Sequence, residues 1–369
     1  MRGLCLLPLL VPLMLGACGQ AATPVTPASL LRGYVRGLDL SEARGAELAG
    51  VQFRDRDGSV KPAAQIAADH HFDWVRVRLM IDPGGDDGKN YGLLQDLPYV
   101  KAAVKDAKDR GLKVLLDLHY SHWWADPGNQ WTPARWKSLS TADLRGAVHD
   151  YTADVMTQLR AAGAAPDMVQ VGNEINGGML WEPGRIVNDD MTAFASLVNA
   201  GVQGVRDAGG PTPPPVMIHI AKIGNAAETT AWYRAFRKAG GQFDVIGLSY
   251  YPMWHGDFQN VSGTVRALRA EYPQTPVLLA ETAYYWDTNE VRYSGAQVPY
   301  PQTPAGQLAY LRDLNATIRA AGGQGIFYWG AAWSQSPRWL TSSWTDDDAS
   351  RRSLFDDSAT ATPAIDGLN

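Results

Sequence analysis

The chain has 369 residues, and its formal net charge of −5 comes from 33 basic and 38 acidic side chains. This length allows a large core, and it fits one α/β barrel with extended loops as well as two smaller domains. The basic residues form no stripe along the sequence, which excludes the charge pattern of a nucleic-acid-binding protein.

The N-terminal segment, residues 1–17, predicts export. It begins with a charged Arg2 and continues with an apolar run that is too short to span a bilayer stably. Leu15-Gly16-Ala17-Cys18 resembles the bacterial lipobox, which predicts cleavage before Cys18 and lipidation of that cysteine. The alternative is an ordinary secretory signal cut near Gly19-Gln20-Ala21. Either signal predicts an exported protein, extracellular or in the cell envelope, whose contact with a membrane is confined to a lipid anchor.

Residues 18–32 are small and polar and predict a flexible tether, and residues 33–369 predict a single catalytic domain. Both cysteines, Cys5 and Cys18, precede that domain. The folded domain therefore has no disulfide and no cysteine-based zinc site. We expect it to be a monomer.

Short apolar runs alternate with helical patterns along the predicted domain. The eight predicted strands are Tyr34–Leu38, Trp74–Leu79, Lys113–Leu118, Met168–Val171, Val216–Ile220, Val245–Ser249, Val277–Ala280 and Gly325–Trp329. The clearest helical patterns are Tyr99–Arg110, Thr141–Ala162 and Pro304–Ala321, each followed by glycine. Eight such units predict an α/β fold, a (β/α)8 TIM barrel. A doubly wound open sheet is the alternative, which the absence of a GxGxxG motif after the first strand disfavours.

Polar and aromatic residues stand where the predicted strands end, at the face where barrel enzymes place their active sites. They are Asp39, Arg78, His119, Tyr120, Asn173, Glu174, His219, Tyr250, Tyr251, Glu281 and Trp329. Glu174 and Glu281 each follow an apolar strand, the fourth and the seventh, so both are expected to face the same mouth. Two carboxyl groups that flank one bond are what glycoside cleavage requires, one to protonate the leaving oxygen and one to attack or activate water.

The two carboxyl groups must differ in pKa to share this work. Arg78 is either the cation that keeps Glu281 ionised or part of a structural salt bridge between barrel and loop, and the sequence leaves both open.

An ordered series of motifs resembles glycoside hydrolase family 53, the endo-β-1,4-galactanases, over roughly Gly33 to Asp356. The stretch Gly172-Asn173-Glu174-Ile175-Asn176-Gly177-Gly178-Met179-Leu180-Trp181 is similar to the signature of that family. Further matches are Asp55-Arg56-Asp57-Gly58, Val75-Arg76-Val77-Arg78-Leu79, Asp117-Leu118-His119-Tyr120-Ser121, Trp124-Ala125-Asp126-Pro127-Gly128, Gly247-Leu248-Ser249-Tyr250-Tyr251-Pro252, Trp254-His255-Gly256 and Glu281-Thr282-Ala283-Tyr284.

The resemblance implies a barrel that hydrolyses internal β-1,4-galactosidic bonds of galactan or arabinogalactan with retention of configuration. It implies that Glu174 is the acid/base, Glu281 the nucleophile, and Asn173 the partner of the sugar 2-hydroxyl. Arg78, His119, Tyr250 and Trp329 match surrounding active-site positions. Retention implies carboxyl groups about 5–5.5 Å apart. The chemistry requires no cofactor.

The chain departs from the family pattern at two places. The last strand reads Tyr328-Trp329-Gly330-Ala331-Ala332-Trp333 where the family commonly has Tyr-Trp-Glu-Pro-Ala-Trp, so a carboxylate that lines the site is missing. Bacterial members often bind calcium after the seventh strand, and here Asp287 and Asn289 keep some oxygen ligands of that loop. The acidic run Asp346-Asp347-Asp348 is either a further contributor or a solvated loop. A structural calcium ion is therefore a prediction that needs more ligands than this loop supplies.

Aromatic residues are abundant, with 13 Trp and 15 Tyr against 8 Phe. Their flat apolar faces suit the C–H faces of sugar rings, although core packing accounts for part of the excess. The predicted loops after the strands hold Trp123, Trp124, Trp181, Trp254 and Trp333, and we expect about half of them to touch substrate, chiefly Trp124, Trp181 and Trp254. Asp39, His119, His219 and His255 are candidate substrate contacts as well, whereas His70, His71 and His149 are expected on the surface.

Two other functions stay open at this point. Another retaining β-glycanase, acting on xylan, glucan or mannan, would have the same barrel and the same pair of glutamates. A surface glycan-binding protein on a lipid anchor is consistent with the missing glutamate at Gly330. The presence of both Glu174 and Glu281 argues against it, because a binding protein has no need of the pair.

Overall fold

Eight parallel strands close into a barrel in chain order, which confirms the predicted fold. The structure is a computed structural model that describes residues 31, 33–83, 94–287, 300–333 and 350–369. The strands are β1 Val35–Asp39, β2 Trp74–Leu79, β3 Lys113–Leu118, β4 Met168–Val171, β5 Val216–Ile220, β6 Val245–Tyr250, β7 Val277–Thr282 and β8 Gly325–Tyr328. Since β8 pairs with β1, the open-sheet alternative is excluded.

Helices surround this barrel and form one domain with it. In the described residues they are Ala43–Leu48, Ala63–Asp69, Leu97–Asp109, Thr141–Ala161, Thr192–Ala208, Ala226–Lys238, Pro252–His255, Phe258–Glu271 and Pro304–Ala320, with 3₁₀ turns at Ala134–Trp136, Ser350–Arg352 and Pro363–Asp366. Several begin at a side chain that accepts a hydrogen bond from the first turn, as Asp96, Ser140 and Thr303 do. The three helices predicted from sequence end within one residue of their observed ends.

The interior of the barrel changes from apolar to polar along the strands. Its lower layer takes inward side chains from every strand: Val35, Trp74, Leu115, Met168, Met217, Val245, Leu278, Ala280 and Phe327. Two residues further along β2, β3 and β5 the inward side chains are Arg76, Asp117 and His219, all fully buried. The strand period of two therefore places a charged layer directly above an apolar floor, at the carboxyl ends of the strands.

Strand β7 contains a β-bulge immediately before Glu281. Leu248 of β6 pairs with Leu279, but the next residue, Ser249, pairs with Glu281, so Ala280 is the extra residue. A bulge of this kind re-aims the side chains that follow it. It places Glu281 beside Ser249 at the mouth of the barrel.

A largely buried histidine joins the C-terminal segment to the β1–β2 connection. His70 Nδ1 lies 2.7 Å from Asp366, and Nε2 lies 2.8 Å from Asp55. Ionised carboxylates only accept hydrogen bonds, so both ring nitrogens carry protons and His70 is a cation. Burial alone would lower the pKa of His70, but the two aspartates raise it. The interpretation of His70 as a surface residue is wrong, since its side chain is 16% exposed, whereas His71 is exposed as expected.

The predicted export signal, Cys18 and nearly all of the tether lie outside the described residues. Within the described part of the chain, no helix is both long enough and apolar enough to cross a membrane.

Candidate active site

Glu174 lies in a strained turn directly after β4. Gly172 and Glu174 both have left-handed backbone angles, with φ of 80° and 48°. This conformation is uncommon for glutamate and persists only where surrounding contacts enforce it. Gln130 supplies such contacts, because its Nε2 donates to the carbonyl oxygens of Asn173 at 2.8 Å and of Asp126 at 3.0 Å. The turn presents a half-buried carboxyl group to the mouth of the barrel.

Glu281, at the end of β7, is held by a cation and a hydroxyl group. Arg76 Nη1 lies 2.8 Å from Oε1, and the Tyr251 hydroxyl donates to Oε2 at 2.9 Å. The side chain is only 7% exposed. Its two oxygens are therefore fixed in direction, and the guanidinium favours the ionised form.

Arg76 is the central cation of the buried charged layer. Besides Glu281 it contacts Asp39 at 2.9 Å, Asp117 at 2.7 Å and the Asn173 Oδ1 atom at 2.7 Å. Burial opposes its charge, but the carboxylates of Asp117, Glu281 and Asp39 raise the pKa of Arg76 above its ordinary value. Arg76 therefore stays charged and links β1, β2, β3, β4 and β7.

Arg78 has the structural role that the sequence left open. It pairs with Glu42, which follows β1, and its guanidinium lies 3.8 Å from the centre of the Trp124 ring. Of the two alternatives left open for Arg78, the structure supports the salt bridge between barrel and loop. Arg76, the preceding inward residue of β2, keeps Glu281 ionised.

The environments of the two glutamates favour different protonation states. Loss of water on burial raises the pKa of Glu174 to about 8, with a further contribution from the negative charge of Glu281, while the Arg76 charge opposes the shift. Burial also raises the pKa of Glu281, against the lowering effects of Arg76 and Tyr251. Because Arg76 and Tyr251 both bond to Glu281, we place the charge on Glu281 and the proton on Glu174.

Two buried histidines support this pair from below. His219 Nδ1 lies 2.9 Å from Asn173 Oδ1, and its Nε2 lies 2.8 Å from Ser249 Oγ, which is 2.5 Å from Glu174 Oε1. His119 Nε2 lies 3.0 Å from Asp117, and its Nδ1 accepts from the backbone N–H of Ala125 at 3.1 Å. Burial lowers the pKa of both histidines. Both act as neutral scaffolding for neighbouring groups.

A protonated carboxyl group beside an ionised carboxylate can perform acid-assisted displacement at one bond. The proton donor protonates the leaving oxygen, and the carboxylate attacks carbon or activates water. This is the arrangement that glycosidic bond cleavage uses. The model of glycosyl hydrolase family 53 matches residues 35–368 of the chain.

The chain belongs to glycosyl hydrolase family 53. It is a glycoside hydrolase, as the sequence predicts.

Two kinds of relative are similar to this family 53 hydrolase. The arabinogalactan endo-β-1,4-galactanase of Cellvibrio japonicus is 36% identical over 311 residues, which cover 80% of each chain. The solved GH53 catalytic domain of Ignisphaera aggregans has a TM-score of 0.83 and 32% identity, covering 94% of this chain and 97% of that one. A solved structure of fungal β-1,4-galactanases has a TM-score of 0.80 and 29% identity, covering 90% and 98%.

The loop tryptophans of the family 53 hydrolase divide between a rim and a wall. Trp254 is 58% exposed and lies in the short helix Pro252–His255 instead of the predicted loop. Trp181 is partly exposed, with the Arg185 guanidinium 4.4 Å from its ring centre. Trp131, which was not among the predicted substrate contacts, is 43% exposed and stacks on His122 with ring centres 5.9 Å apart. We call these three exposed or partly exposed residues the aromatic rim.

Trp124, Trp329 and Trp333 form the wall. The ring centres of Trp329 and Trp333 are 4.5 Å apart, and those of Trp124 and Trp333 are 5.9 Å apart. Gly330 lies in this wall with φ of 68°, and an added Cβ would lie 3.4 Å from the Trp333 ring. The backbone at this position therefore favours glycine over the glutamate that the family commonly has there.

Tyr250 lies on the outer side of the barrel. It is fully buried, and its hydroxyl donates to the carbonyl oxygen of Gly256 at 2.8 Å. The adjacent Tyr251 makes the contact with Glu281 instead. His255 accepts from the Tyr251 backbone N–H at 3.0 Å, and burial lowers its pKa to about 4.

Three functional residues were not singled out from the sequence: Arg76, Gln130 and Ser249. Arg76 could have been predicted from the sequence, because strand alternation puts it on the same face as Arg78. The contact of Ser249 with Glu174, and that of Tyr251 with Glu281, depend on the strand register around the bulge, which no local pattern shows. Gln130 lies in an irregular loop, where no sequence pattern indicates its contacts with the Glu174 turn.

Asp287 is the described residue of the predicted calcium loop, and it lies 3.6 Å from Arg351. Asn289 and Asp346–Asp348 lie outside the described residues. In the part of the chain that is described, no group of three or more His, Cys, Asp and Glu side chains is arranged to hold a metal. Calcium binding stays a prediction.

Proposed function

We propose that this hydrolase is a retaining endo-β-1,4-galactanase of galactan and arabinogalactan, with Glu174 as acid/base and Glu281 as nucleophile. The galactan specificity is supported by the names of the Cellvibrio japonicus and fungal relatives. The roles of the glutamates are supported by one observation above all, the ion pair of Glu281 with Arg76 at 2.8 Å. A carboxylate bound in this way is the stronger candidate for attack on carbon.

The proposed reaction has two displacements. In the first, a Glu281 oxygen bonds to the anomeric carbon while the bond to the leaving sugar breaks, and Glu174 gives its proton to the departing oxygen. In the second, Glu174 accepts a proton from water, whose oxygen attacks the anomeric carbon and releases Glu281. Two inversions retain the configuration.

Asn173 is the proposed partner of the sugar 2-hydroxyl. One N–H of its amide donates to the carbonyl oxygen of Ala125 at 2.8 Å, which fixes the plane of the group. The second N–H is the donor that we assign to the sugar. A hydrogen bond there strengthens as positive charge develops on the ring in the transition state.

The aromatic rim supports binding of a chain with several sugars. Trp254 is exposed, and its ring centre lies 5.2 Å from that of Tyr251, which bonds to Glu281. A sugar ring stacked on Trp254 would thus lie next to the reacting sugar. Binding of sugars beyond the reacting one is what cleavage at internal bonds requires.

Incubation with unbranched β-1,4-galactan, followed by NMR of the products, tests this proposal. We expect short galactooligosaccharides that appear first as the β-anomer. First appearance of the α-anomer would overturn double displacement. Release from xylan, glucan or mannan, but not from galactan, would move the specificity to another β-glycan. Binding without release from any glycan would establish a glycan-binding protein.

We also propose that the protein is exported, attached to the membrane by a lipid on Cys18, and monomeric. The lipobox-like residues before Cys18 support the anchor.

A further inference from the structure

The orientation of the Asn173 amide is determined by its partners. A guanidinium group has donors and no acceptor, so the Asn173 atom that lies 2.7 Å from Arg76 Nη2 is the oxygen. The opposite atom lies 2.8 Å from the carbonyl oxygen of Ala125, which only accepts, and is therefore the nitrogen. The two contacts independently assign the oxygen and the nitrogen of the Asn173 amide in the same way.

This orientation determines the tautomer of His219. Its Nδ1 lies 2.9 Å from Asn173 Oδ1, which only accepts, so Nδ1 carries a proton. Burial and the Arg76 charge lower the pKa of His219 well below its ordinary value, with Asp117 opposing and His119 adding to the shift. A neutral ring with a proton on Nδ1 has a lone pair on Nε2. That nitrogen therefore needs a donor.

Ser249 is the group that faces this lone pair, at 2.8 Å from Nε2. A hydroxyl group has a single proton, so when it donates to His219 it can only accept from Glu174 Oε1, at 2.5 Å. We infer that His219 and Ser249 are positioning residues that hold the proton on Glu174. The bonds from Arg76 through Asn173 fix the lone pair on His219 Nε2, and this lone pair takes the Ser249 proton while Glu174 is protonated. The inference rests on the proposed acid/base role of Glu174.

The same hydroxyl serves the second half of the reaction. Once Glu174 has given its proton to the leaving oxygen, Ser249 rotates and donates to the new carboxylate, a charge-assisted bond. His219 Nε2 then loses its hydrogen-bond donor. Because ionisation of Glu174 costs this hydrogen bond, His219 favours the protonated form of Glu174 in the resting enzyme. The other charges that face Glu174 are Glu281 and Asp126, which disfavour its ionisation, and Arg76, which favours it.

The tautomer can be measured directly by ¹⁵N NMR of the wild-type protein labelled at histidine, at pH 7. We expect His219 neutral with its proton on Nδ1. His119 is the internal control, because the N–H of Ala125 donates to its Nδ1 and so places its proton on Nε2. Opposite tautomers for these two histidines are the expected result. A proton on Nε2 of His219, or a charged ring, would overturn the inference, whatever substrate the enzyme accepts.

A pH profile supplies the second test. His219→Phe removes the competitor for the Ser249 proton, so that proton stabilises ionised Glu174. We expect the basic limb of kcat/KM to move down by about one unit, the size of one charge-assisted hydrogen bond. Adding Ser249→Ala to His219→Phe removes the donor to ionised Glu174, so the basic limb of kcat/KM should return to higher pH. An upward shift in His219→Phe alone would contradict the inference.

The two proposals fail in different ways. If galactan is not cleaved, the pH profile is measured on the glycan that is, and the NMR result stands by itself. If galactan is cleaved but the tautomer is reversed, the proposed function stands and the positioning role is lost.

Discussion

Tyr250 and Tyr251 are adjacent in sequence, but their hydroxyl groups serve different sides of the barrel wall. Tyr251 donates to Glu281 at 2.9 Å, whereas Tyr250 donates to the carbonyl oxygen of Gly256 at 2.8 Å and packs against the helix residue Phe258. The pair therefore separates the effect of a hydroxyl on the proposed nucleophile from its effect on the fold.

We expect Tyr251→Phe to lower kcat by roughly tenfold to a hundredfold, the cost of one hydrogen bond to a charged group. Loss of the donor also raises the pKa of Glu281, so the acidic limb of kcat/KM should move to higher pH. Tyr250→Phe should leave kcat unchanged and lower the free energy of unfolding by about 1 kcal/mol. Equal loss of kcat in the two variants would refute the assignment. Steady-state kinetics and urea unfolding give both quantities.

Glu281→Ala should lower kcat by at least about a thousandfold, since the attacking group is gone, while the fold persists. Added azide should restore turnover of an activated aryl β-galactoside and give the α-galactosyl azide, because one displacement replaces two. Glu271→Ala is the matched control, an exposed glutamate that precedes β7 and pairs with Arg234. A β-configured azide product would show that another group attacks the sugar.

The acid form of Glu174 is the active form in the first step. With a pKa of about 8 it stays protonated at neutral pH, and kcat/KM on galactan should fall as pH rises through that value. Glu174→Gln should remove this limb and slow galactan strongly. Aryl galactosides with good leaving groups should lose less in the first step, because they need little proton assistance. Persistence of the limb in Glu174→Gln would assign it to a different residue.

The bridge from His70 to Asp55 and Asp366 predicts pH-dependent stability. The folded-state pKa of His70 is raised, so its contribution is fully present below the ordinary pKa of histidine and is lost as pH rises through the folded value. The difference in Tm between wild type and His70→Gln should therefore be largest near pH 6 and shrink at alkaline pH. His71→Gln, at an exposed site, should show no such trend. A difference that grows with pH would have the wrong sign.

Cys18→Ala should move the protein from the membrane fraction to the soluble fraction of its host, with unchanged activity. Mass spectrometry of the wild-type N-terminus should find a lipidated Cys18. An unmodified N-terminus beyond Gln20 would instead support the ordinary secretory signal.

Sequence periodicity was sufficient for the barrel and for its two carboxyl groups. Buried parallel strands are short apolar runs, and their ends are marked by Asn173-Glu174 and by Glu281, so position in the fold follows from order along the chain. Four of the eight strands have the predicted bounds.

The partners of those carboxyl groups depend on geometry that the sequence does not display. Arg76 and Arg78 are chemically equal and lie on one face of β2, and depth in the barrel alone decides which of them meets Glu281. Ser249 meets Glu174 across two strands, a contact between distant parts of the chain. Such contacts need strand register and tilt, which local patterns leave undetermined.

The extra residue in β7 determines whether the side chain of the proposed nucleophile points into the barrel or toward the helices. Leu278 and Ala280 belong to the inner layer, so strict alternation would send residue 281 toward the helices and residue 282 inward. The observed order is the reverse, since Glu281 bonds to Arg76 and Thr282 to Tyr310 of the outer helix Pro304–Ala320. A regular strand of the same sequence would exchange these two side chains, whereas deletion of Ala280 would restore the alternation and keep Glu281 inward. A graft of this strand that retains Ala280 must therefore retain the irregularity as well, or Glu281 will face the helices.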